Sequence, residues 1–148
     1  MELKYEFYIG ATAEEVWKVL LSPEGTRHTF FGSVIKSSFA VGDTIAYIGP
    51  GNEGEETVHV YGKILAYEPH KTFSFLEHPG PSYHANHEEL ESRVTFTLET
   101  VGKCTKLMLV NDGWTENHPS LANAEGHWWM ISNIKTYTET GKTLDFGY

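Results

Sequence analysis

The chain has 148 residues, of which 40% are hydrophobic and 14% aromatic, and eleven Lys and Arg against twenty Asp and Glu give a net charge of −9. This composition excludes a disordered chain and predicts one folded domain spanning 1–148. The acidic balance repels phosphate backbones and anionic lipid, so neither nucleic acid nor a membrane surface is an expected partner. A single cysteine, Cys104, and the lack of a long apolar run favour a cytoplasmic protein.

The first third of the chain combines one strand pattern with two short helix patterns. Apolar and polar residues alternate over 3–9, which predicts a strand with one buried face. Helical spacing begins at Thr12 or Ala13. Pro23 interrupts that helix, and a second short helix is expected to end near Gly32.

The middle of the chain reads as a series of strands. Six runs of period two, each bounded by turn residues, follow at 34–39, 43–49, 56–67, 71–77, 92–99 and 105–111. Consecutive hairpins favour an antiparallel sheet. The irregular stretch from Glu77 to Glu91 has the length of a lid or a mobile rim.

The last predicted element is the only long helix, from Pro119 to Thr140. A lone helix that follows an antiparallel sheet has to lie across that sheet, because nothing else is available to cover it. The expected fold is therefore α+β, with about seven curved strands wrapped around the C-terminal helix. That helix either fills the core or roofs a pocket.

The angular layout of this helix separates its two faces at about 100° per residue. One stripe faces the core: Ala124, His127, Met130, Ile131, Ile134, Tyr137 and Thr138. The opposite stripe is polar: Glu125, Ser132, Asn133, Thr136 and Glu139. Trp128 falls on the shoulder, where it would wedge between helix and sheet edge. Trp129 falls among the polar residues, so it is either covered by another segment or a contact in a homodimer.

His127 is the unusual residue of the core stripe because its side chain titrates. A buried imidazole needs a hydrogen-bond partner, which a backbone group or a tyrosine hydroxyl would supply. The alternative is a polar anchor that orients a ligand in an otherwise apolar cavity.

Two other patterns resemble a nucleotide-binding motif and a zinc site, but their sequence context argues against both. The string from Gly49 to Gly54 satisfies G-x-G-x-x-G but leads into a strand, so it predicts a hairpin turn and no nucleotide site. His84, His87 and Glu88, with His78 upstream, are read as a solvated loop, because zinc needs three or four converging ligands. Neither a metal nor another cofactor is expected.

Short motifs in a fixed order give the chain a family resemblance. They are Ala13-Glu14-Glu15-Val16-Trp17, Val41-Gly42-Asp43, Gly62-Lys63-Ile64, Phe73-Ser74-Phe75, Ser92-Arg93-Val94-Thr95-Phe96 and the run from Gly126 to Gly141. In these the chain resembles the family related to the activator of the Hsp90 ATPase, within the START-like, Bet v 1-like (SRPBCC) superfamily. The resemblance implies a helix-grip fold that often encloses an apolar cavity. The family usually has Trp directly after the glycine corresponding to Gly126, where this chain has His127.

The sequence hypothesis is a domain that binds a small, largely apolar ligand between sheet and helix, with a stress-related role as one option. The expected ligand-binding residues are Phe30, Phe31, Tyr61, Phe73, Phe75, Phe96, His127 and Ile131. Two alternatives stay open: an enzyme of the polyketide cyclase or dehydratase type using the same cavity, and a co-chaperone or interaction protein. No catalytic residue is assigned, and a one-residue shift in strand register would exchange the inward and outward sets.

Overall fold

The computed structural model describes residues 1–123 and 125–147, with the backbone alone at 122, 123 and 125. This part of the chain forms seven strands and three α-helices. In chain order they are β1 (Leu3–Ile9), α1 (Ala13–Leu21), α2 (Pro23–Thr29), β2 (Val34–Ser37), β3 (Thr44–Pro50), β4 (Glu56–Glu68), β5 (Thr72–Pro79), β6 (Ser92–Val101), β7 (Cys104–Asp112) and α3 (Glu125–Thr140). Single 3-10 turns lie at His87–Glu89 and Pro119–Asn123.

The seven strands form one antiparallel sheet in the order β1-β7-β6-β5-β4-β3-β2. Strands β2 to β7 follow one another as hairpins, and β1 pairs with β7, where Leu3 lies opposite Asn111. The predicted α+β helix-grip fold is confirmed, with the C-terminal helix lying against this sheet.

Local signals place the two short helices where the sequence predicted them. The Thr12 hydroxyl accepts a hydrogen bond from the Glu15 amide, and the Glu15 side chain bonds back to the Thr12 amide, which makes a capping box. At the start of α2 the Ser22 hydroxyl accepts a hydrogen bond from the Gly25 amide, with Pro23 at the first helical position. The second helix ends at Thr29, earlier than predicted.

The concave face of the sheet carries the core. Phe73, Phe75 and Phe96 are almost completely buried, with the Phe73 ring 5.4 Å from Phe75 and 6.5 Å from Phe96. From the helix, Ile131 and Ile134 are also buried. The sheet and α3 thus enclose one continuous apolar interior.

The predicted start of the long helix is wrong. The α-helix begins at Glu125, and the preceding 119–123 segment is a separate 3-10 turn, so Pro119 does not open a continuous α-helix. Ala124, placed in the core stripe by the sequence, lies outside the described residues. Met130, with Ile131 and Ile134, is buried as that stripe predicted.

The polar stripe of α3 contains one clear exception. Asn133 was expected to face water, yet its side chain is only 1% exposed. The chain after Gly141 folds back along this side of the helix, so that the Leu144 amide donates to Asn133 Oδ1 at 2.7 Å. A helical wheel cannot show this cover because it depends on the path of the chain after the helix.

The two tryptophans occupy different surroundings. Trp129 is half-buried and stacks on Phe146 from the same returning segment, with ring centroids 5.1 Å apart and planes 3° apart. Trp128 is 54% exposed and meets the Tyr5 ring edge-on at 4.7 Å, at the β1 edge of the sheet. Trp128 therefore packs at the predicted place, and another segment of the chain covers Trp129.

The glycine-rich string between β3 and β4 is a hairpin connection, as the sequence predicted. The Gly51 amide donates to the Glu55 carbonyl at 2.7 Å, and the two strands pair on either side. Gly54 has φ of 80°, a left-handed conformation that glycine adopts without strain.

Candidate functional site

A cavity of about 440 Å³ lies between the concave face of the sheet and α3, within the range typical of small-molecule sites. Most of its wall is apolar, contributed by the connection between α2 and β2, the strands, the segment after β7 and α3. The apolar lining residues are Phe30, Phe31, Val60, Phe75, Val94, Phe96, Leu109, Trp114 and Met130, with Gly126 beside them.

The remaining lining residues are polar: Ser33, Tyr47, His59, Glu77, Tyr83, Asn111, Ser120 and His127. Two of their buried atoms, the Tyr47 hydroxyl and Asn111 Oδ1, have no hydrogen-bond partner within the described chain. Tyr47 is 4% exposed and Asn111 1%. A buried polar group without a partner costs about 1–3 kcal/mol, so both atoms favour the arrival of a ligand or water group.

The orientation of the Asn111 amide is fixed by its neighbours. Its Nδ2 donates to the Arg93 carbonyl at 2.9 Å and to the Ser92 hydroxyl oxygen at 3.1 Å. The reversed amide would place two acceptors, Oδ1 and the Arg93 carbonyl, against each other. The unpartnered atom of this side chain is therefore the acceptor Oδ1.

Glu77 places a carboxyl group on the cavity wall. Its strand continues the inward series of Phe73 and Phe75 by two residues, and it lies opposite Ser92 of β6. Glu77 is half-buried and lines the cavity. Burial raises the pKa of Glu77 to about 7.

The Tyr47 hydroxyl stays protonated for related reasons. Burial, and then the nearby carboxylate of Glu77, raise the pKa of Tyr47 well above its usual range. Its ring lies between Phe30, stacked at 5.2 Å, and Phe75 at 5.8 Å. The hydroxyl therefore keeps its proton at neutral pH and can donate a hydrogen bond.

His127 reaches the cavity from the first turns of α3. Its Nδ1 lies 3.3 Å from the Tyr5 hydroxyl, and the two rings are 5.5 Å apart. The imidazole is half-buried. A tyrosine partner is one of the two kinds of partner that the sequence predicted for this residue.

Phe31 stands where the α2–β2 connection approaches the first turn of α3. It is 44% exposed and has φ of 54°, which is uncommon for a bulky residue and costs roughly 1 kcal/mol or more. A Cβ on Gly126 would lie 3.8 Å from the tip of its ring. Phe31 therefore borders the cavity at a partly exposed point, and we place the mouth there.

From the stretch predicted to be irregular, Glu77 to Glu91, the structure places 77–79 in β5 and brings Tyr83 of the following loop to the cavity wall. A β-bulge in β4 leaves His59 without a pairing partner between Val58 and Val60, and this turns His59 toward the cavity. His59 Nδ1 hydrogen-bonds the Tyr83 hydroxyl, and its Nε2 lies 3.1 Å from the Pro50 carbonyl. This pair ties Tyr83 to the sheet.

The segment after β7 closes another side of the cavity. Trp114 donates from its indole nitrogen to the Asn111 carbonyl at 3.1 Å, and its ring lies edge-on to His118 at 4.9 Å. His118 Nδ1 accepts from the Ser120 amide at 3.2 Å, which requires an unprotonated nitrogen. Burial, with His84 and His78 nearby, lowers the pKa of His118 and favours that form.

Five of the eight predicted ligand-binding residues line the cavity: Phe30, Phe31, Phe75, Phe96 and His127. Tyr61 lies on the opposite, convex face, where its hydroxyl bonds His87 Nδ1 at 2.5 Å, so its inward placement is wrong. Phe73 and Ile131 are packed into the core. Ligand binding by any of the eight remains a prediction.

Sequence reasoning missed the polar residues of the cavity, although one signal for two of them was present. The alternation of Phe73 and Phe75 continues to Glu77, which is both the last residue of the predicted strand and the first of the irregular stretch. The alternation of Leu107 and Leu109 likewise continues to Asn111. Extending period two to the strand ends would have placed both polar side chains inward. The bulge that turns His59 inward has no comparable pattern.

The histidines considered as metal ligands lie on the loop side of the convex face. His78 Nδ1 bonds the Leu90 carbonyl at 2.9 Å, and His87 bonds Tyr61. Among the described residues, no group of three His, Cys, Asp or Glu side chains is arranged to hold a metal ion. Within the same residues, no helix has the length and apolar character needed to cross a membrane.

An antiparallel sheet around a C-terminal helix, with a cavity between them, defines a helix-grip protein. The sequence profile of the family described as activator of Hsp90 ATPase homolog 1-like protein matches residues 10–139. The chain belongs to this family, as its motifs predicted. No curated protein sequence matches the chain.

Solved structures share the fold at low sequence identity. The Aha1 dimer from Colwellia psychrerythraea is 22% identical with a TM-score of 0.71, covering 96% of this chain and 98% of that one. A protein from Arthrobacter aurescens is 16% identical with a TM-score of 0.77, covering 99% and 91%. DynU16, from the dynemicin biosynthetic locus, is 17% identical with a TM-score of 0.71, covering 95% of this chain and 48% of that one. These likenesses bear on the fold alone.

Proposed function

We propose that this protein binds a small, largely apolar molecule in the cavity between the sheet and α3. The observation that carries the proposal is a cavity of about 440 Å³ with a mostly apolar wall and a few polar atoms awaiting partners. Ligand sites generally combine apolar walls, which supply affinity, with few polar groups, which fix orientation. The helix-grip family to which the chain belongs supports the same reading.

Native mass spectrometry of the protein purified from its own host tests this proposal. We expect a mass excess that disappears on denaturation, with release of a small molecule. Val94 lines the cavity, whereas Val101, on the same strand, is 43% exposed. Val94→Phe should lower the fraction of protein that carries the extra mass, and Val101→Phe should leave that fraction unchanged. Carriage that is equal in both variants would place the bound molecule elsewhere.

Glu77 favours a second candidate, an enzyme of the polyketide cyclase or dehydratase type that uses the same cavity. A carboxyl with a pKa of about 7 can both give and take a proton near neutral pH. The DynU16 protein, which shares the fold, comes from a biosynthetic locus. The Glu77→Gln variant separates the two candidates. If the protein is an enzyme, the natural protein should convert the molecule it carries and the variant should not. If it is a binding protein, neither should convert the molecule and both should still carry it.

The co-chaperone alternative calls for a filled core and a specialised outer surface, and the cavity gives it less support.

A homodimer stays a prediction, supported by the dimer of the Colwellia psychrerythraea protein. The tail ring of Phe146 stacks on Trp129, so a Trp129-mediated dimer would have to involve this stack. Sedimentation velocity of the protein and of Trp129→Ala tests the contact. A cytoplasmic location likewise remains a prediction.

A further inference from the structure

The two buried cavity atoms that lack a partner in the described chain, the Tyr47 hydroxyl and Asn111 Oδ1, need complementary ligand groups: one can donate a hydrogen bond and the other can only accept one. Tyr47 contributes a hydroxyl hydrogen, and Asn111 contributes the acceptor Oδ1, because its Nδ2 is held by Arg93 and Ser92. A hydroxyl group both donates and accepts, so it can satisfy either atom. A carboxylate has only acceptor oxygens, so it could accept from Tyr47 but would be repelled by Asn111 Oδ1. An ether or ketone could use Tyr47 alone.

The charges of the wall also disfavour an anionic ligand. Neither Lys nor Arg is among the described lining residues. The two imidazoles that could carry positive charge have protein partners: both nitrogens of His59 contact Tyr83 and Pro50, and His127 Nδ1 contacts Tyr5. Because no permanently charged cation lines the described cavity, burying a ligand carboxylate there is unfavourable.

The aromatic side chains around Tyr47 define the rest of the ligand. Phe30 and Phe75 flank its ring at 5.2 and 5.8 Å, and Phe96 lies 6.4 Å from Phe30. Such a wall accommodates a flat apolar skeleton through offset or edge contacts.

We propose that the cavity selects uncharged alcohols on an apolar ring skeleton, with the ligand hydroxyl held by Tyr47 or Asn111, and rejects the corresponding carboxylates. This specificity rests on the proposed function, since it concerns the same cavity. It adds the chemical class of the ligand and the residues that choose it.

Three probes of similar size separate the effects of the apolar skeleton, the hydroxyl group and the carboxylate: naphthalene, 2-naphthol and 2-naphthoate. They are titrated calorimetrically at about pH 6, where 2-naphthol is neutral and 2-naphthoate is ionised. We expect 2-naphthol to bind about tenfold more tightly than naphthalene, the effect of one net hydrogen bond. We expect 2-naphthoate to bind more weakly than naphthalene.

Tyr47→Phe removes only the unpartnered hydroxyl, so it should fold at least as well as the natural protein. Its affinity for 2-naphthol should fall toward that for naphthalene if Tyr47 holds the ligand. If Tyr47→Phe still binds 2-naphthol more tightly than naphthalene, Asn111 holds the hydroxyl. In that case 2-methoxynaphthalene, which cannot donate to Asn111 Oδ1, should bind no more tightly than naphthalene. Tyr8→Phe, which removes a hydroxyl from a tyrosine 53% exposed on β1, is the matched control and should bind like the natural protein.

The outcomes distinguish this inference from the proposed function. Binding of naphthalene and 2-naphthol with equal affinity would overturn the alcohol selectivity while leaving an apolar binding site intact. Tight binding of 2-naphthoate would overturn the rejection of anions. A preference that survives both the loss of the Tyr47 hydroxyl and methylation of the ligand would refute the assigned residues. Failure of all three probes to bind would overturn both proposals.

Discussion

At the scale of single residues, the polar groups of the cavity matter more than its aromatic walls. Apolar residues are expected inside any folded domain. A carboxyl with a raised pKa, beside a tyrosine hydroxyl and an amide oxygen without partners, is a departure from ordinary core packing. Such departures are common at functional sites.

The raised pKa of Glu77 predicts how stability depends on pH. Below pH 4.5, the ordinary value for this group, both folded and unfolded chains hold the proton. Between there and about pH 7 the unfolded chain ionises while the folded chain does not, so the stability contributed by this group falls as the pH rises.

Glu77→Gln removes that titration and should therefore flatten this part of the profile. Because the side chain is only half-buried, we expect a gain of about 1–3 kcal/mol at about pH 8 and none near pH 4.5. Urea unfolding across this range measures it. Glu53→Gln, in the exposed β3–β4 turn, is the control. Parallel profiles for Glu77→Gln and the natural protein would reject a buried, titrating Glu77.

His127→Leu tests the role of the imidazole. We expect the variant to fold normally, because leucine suits the half-buried helix position and Tyr5 keeps its place in β1. If His127 anchors the ligand, the affinity for 2-naphthol should fall several-fold. An unchanged affinity in the same calorimetric titration would leave His127 as a structural residue only.

At the scale of elements, the segment after Gly141 is part of the C-terminal helix packing. It supplies the Leu144 amide to Asn133 and the Phe146 ring to Trp129. The other face of the helix is fastened to β1, where Lys135 Nζ donates to the Tyr8 carbonyl at 2.8 Å. The helix is thus held from both sides, which fixes the position of His127 relative to the sheet.

Asn133→Ala should destabilise the fold by about 1–2 kcal/mol, because it removes a buried side chain that accepts a hydrogen bond from the Leu144 amide. It should also loosen the stack on Trp129 and shift the tryptophan emission to longer wavelength. Chemical unfolding monitored by fluorescence measures both effects. Asn52→Ala, in an exposed turn, should show neither. A neutral Asn133→Ala would mean that the returning segment contributes nothing to α3.

The elements differ in how far the sequence could predict them. The strands follow from period two, which is a local property of the chain, and β7 (Cys104–Asp112) differs from the predicted 105–111 by one residue at each end. The burial of Asn133 was not predictable, because it depends on a segment that returns over the helix. Tyr61 was misplaced because its strand carries the bulge at His59, and aromatic character alone does not indicate a face.

At the scale of the whole molecule, the proposed function requires the cavity to be a ligand site rather than a packing defect. A packing defect would have apolar walls alone, because an apolar void stays empty whereas polar atoms attract partners. Here the chain keeps Glu77, Tyr47 and Asn111 facing an apolar space, at a cost to its own stability. That cost is understandable if a ligand offsets it.

The most direct test is a calorimetric titration of naphthalene, which probes the cavity without its polar groups. We expect one saturable site in the natural protein, a loss of at least about tenfold in affinity for Val94→Phe, where the new ring fills the cavity, and no change for Val101→Phe. Absence of binding to the natural protein, or equal binding by all three proteins, would contradict ligand binding in this cavity.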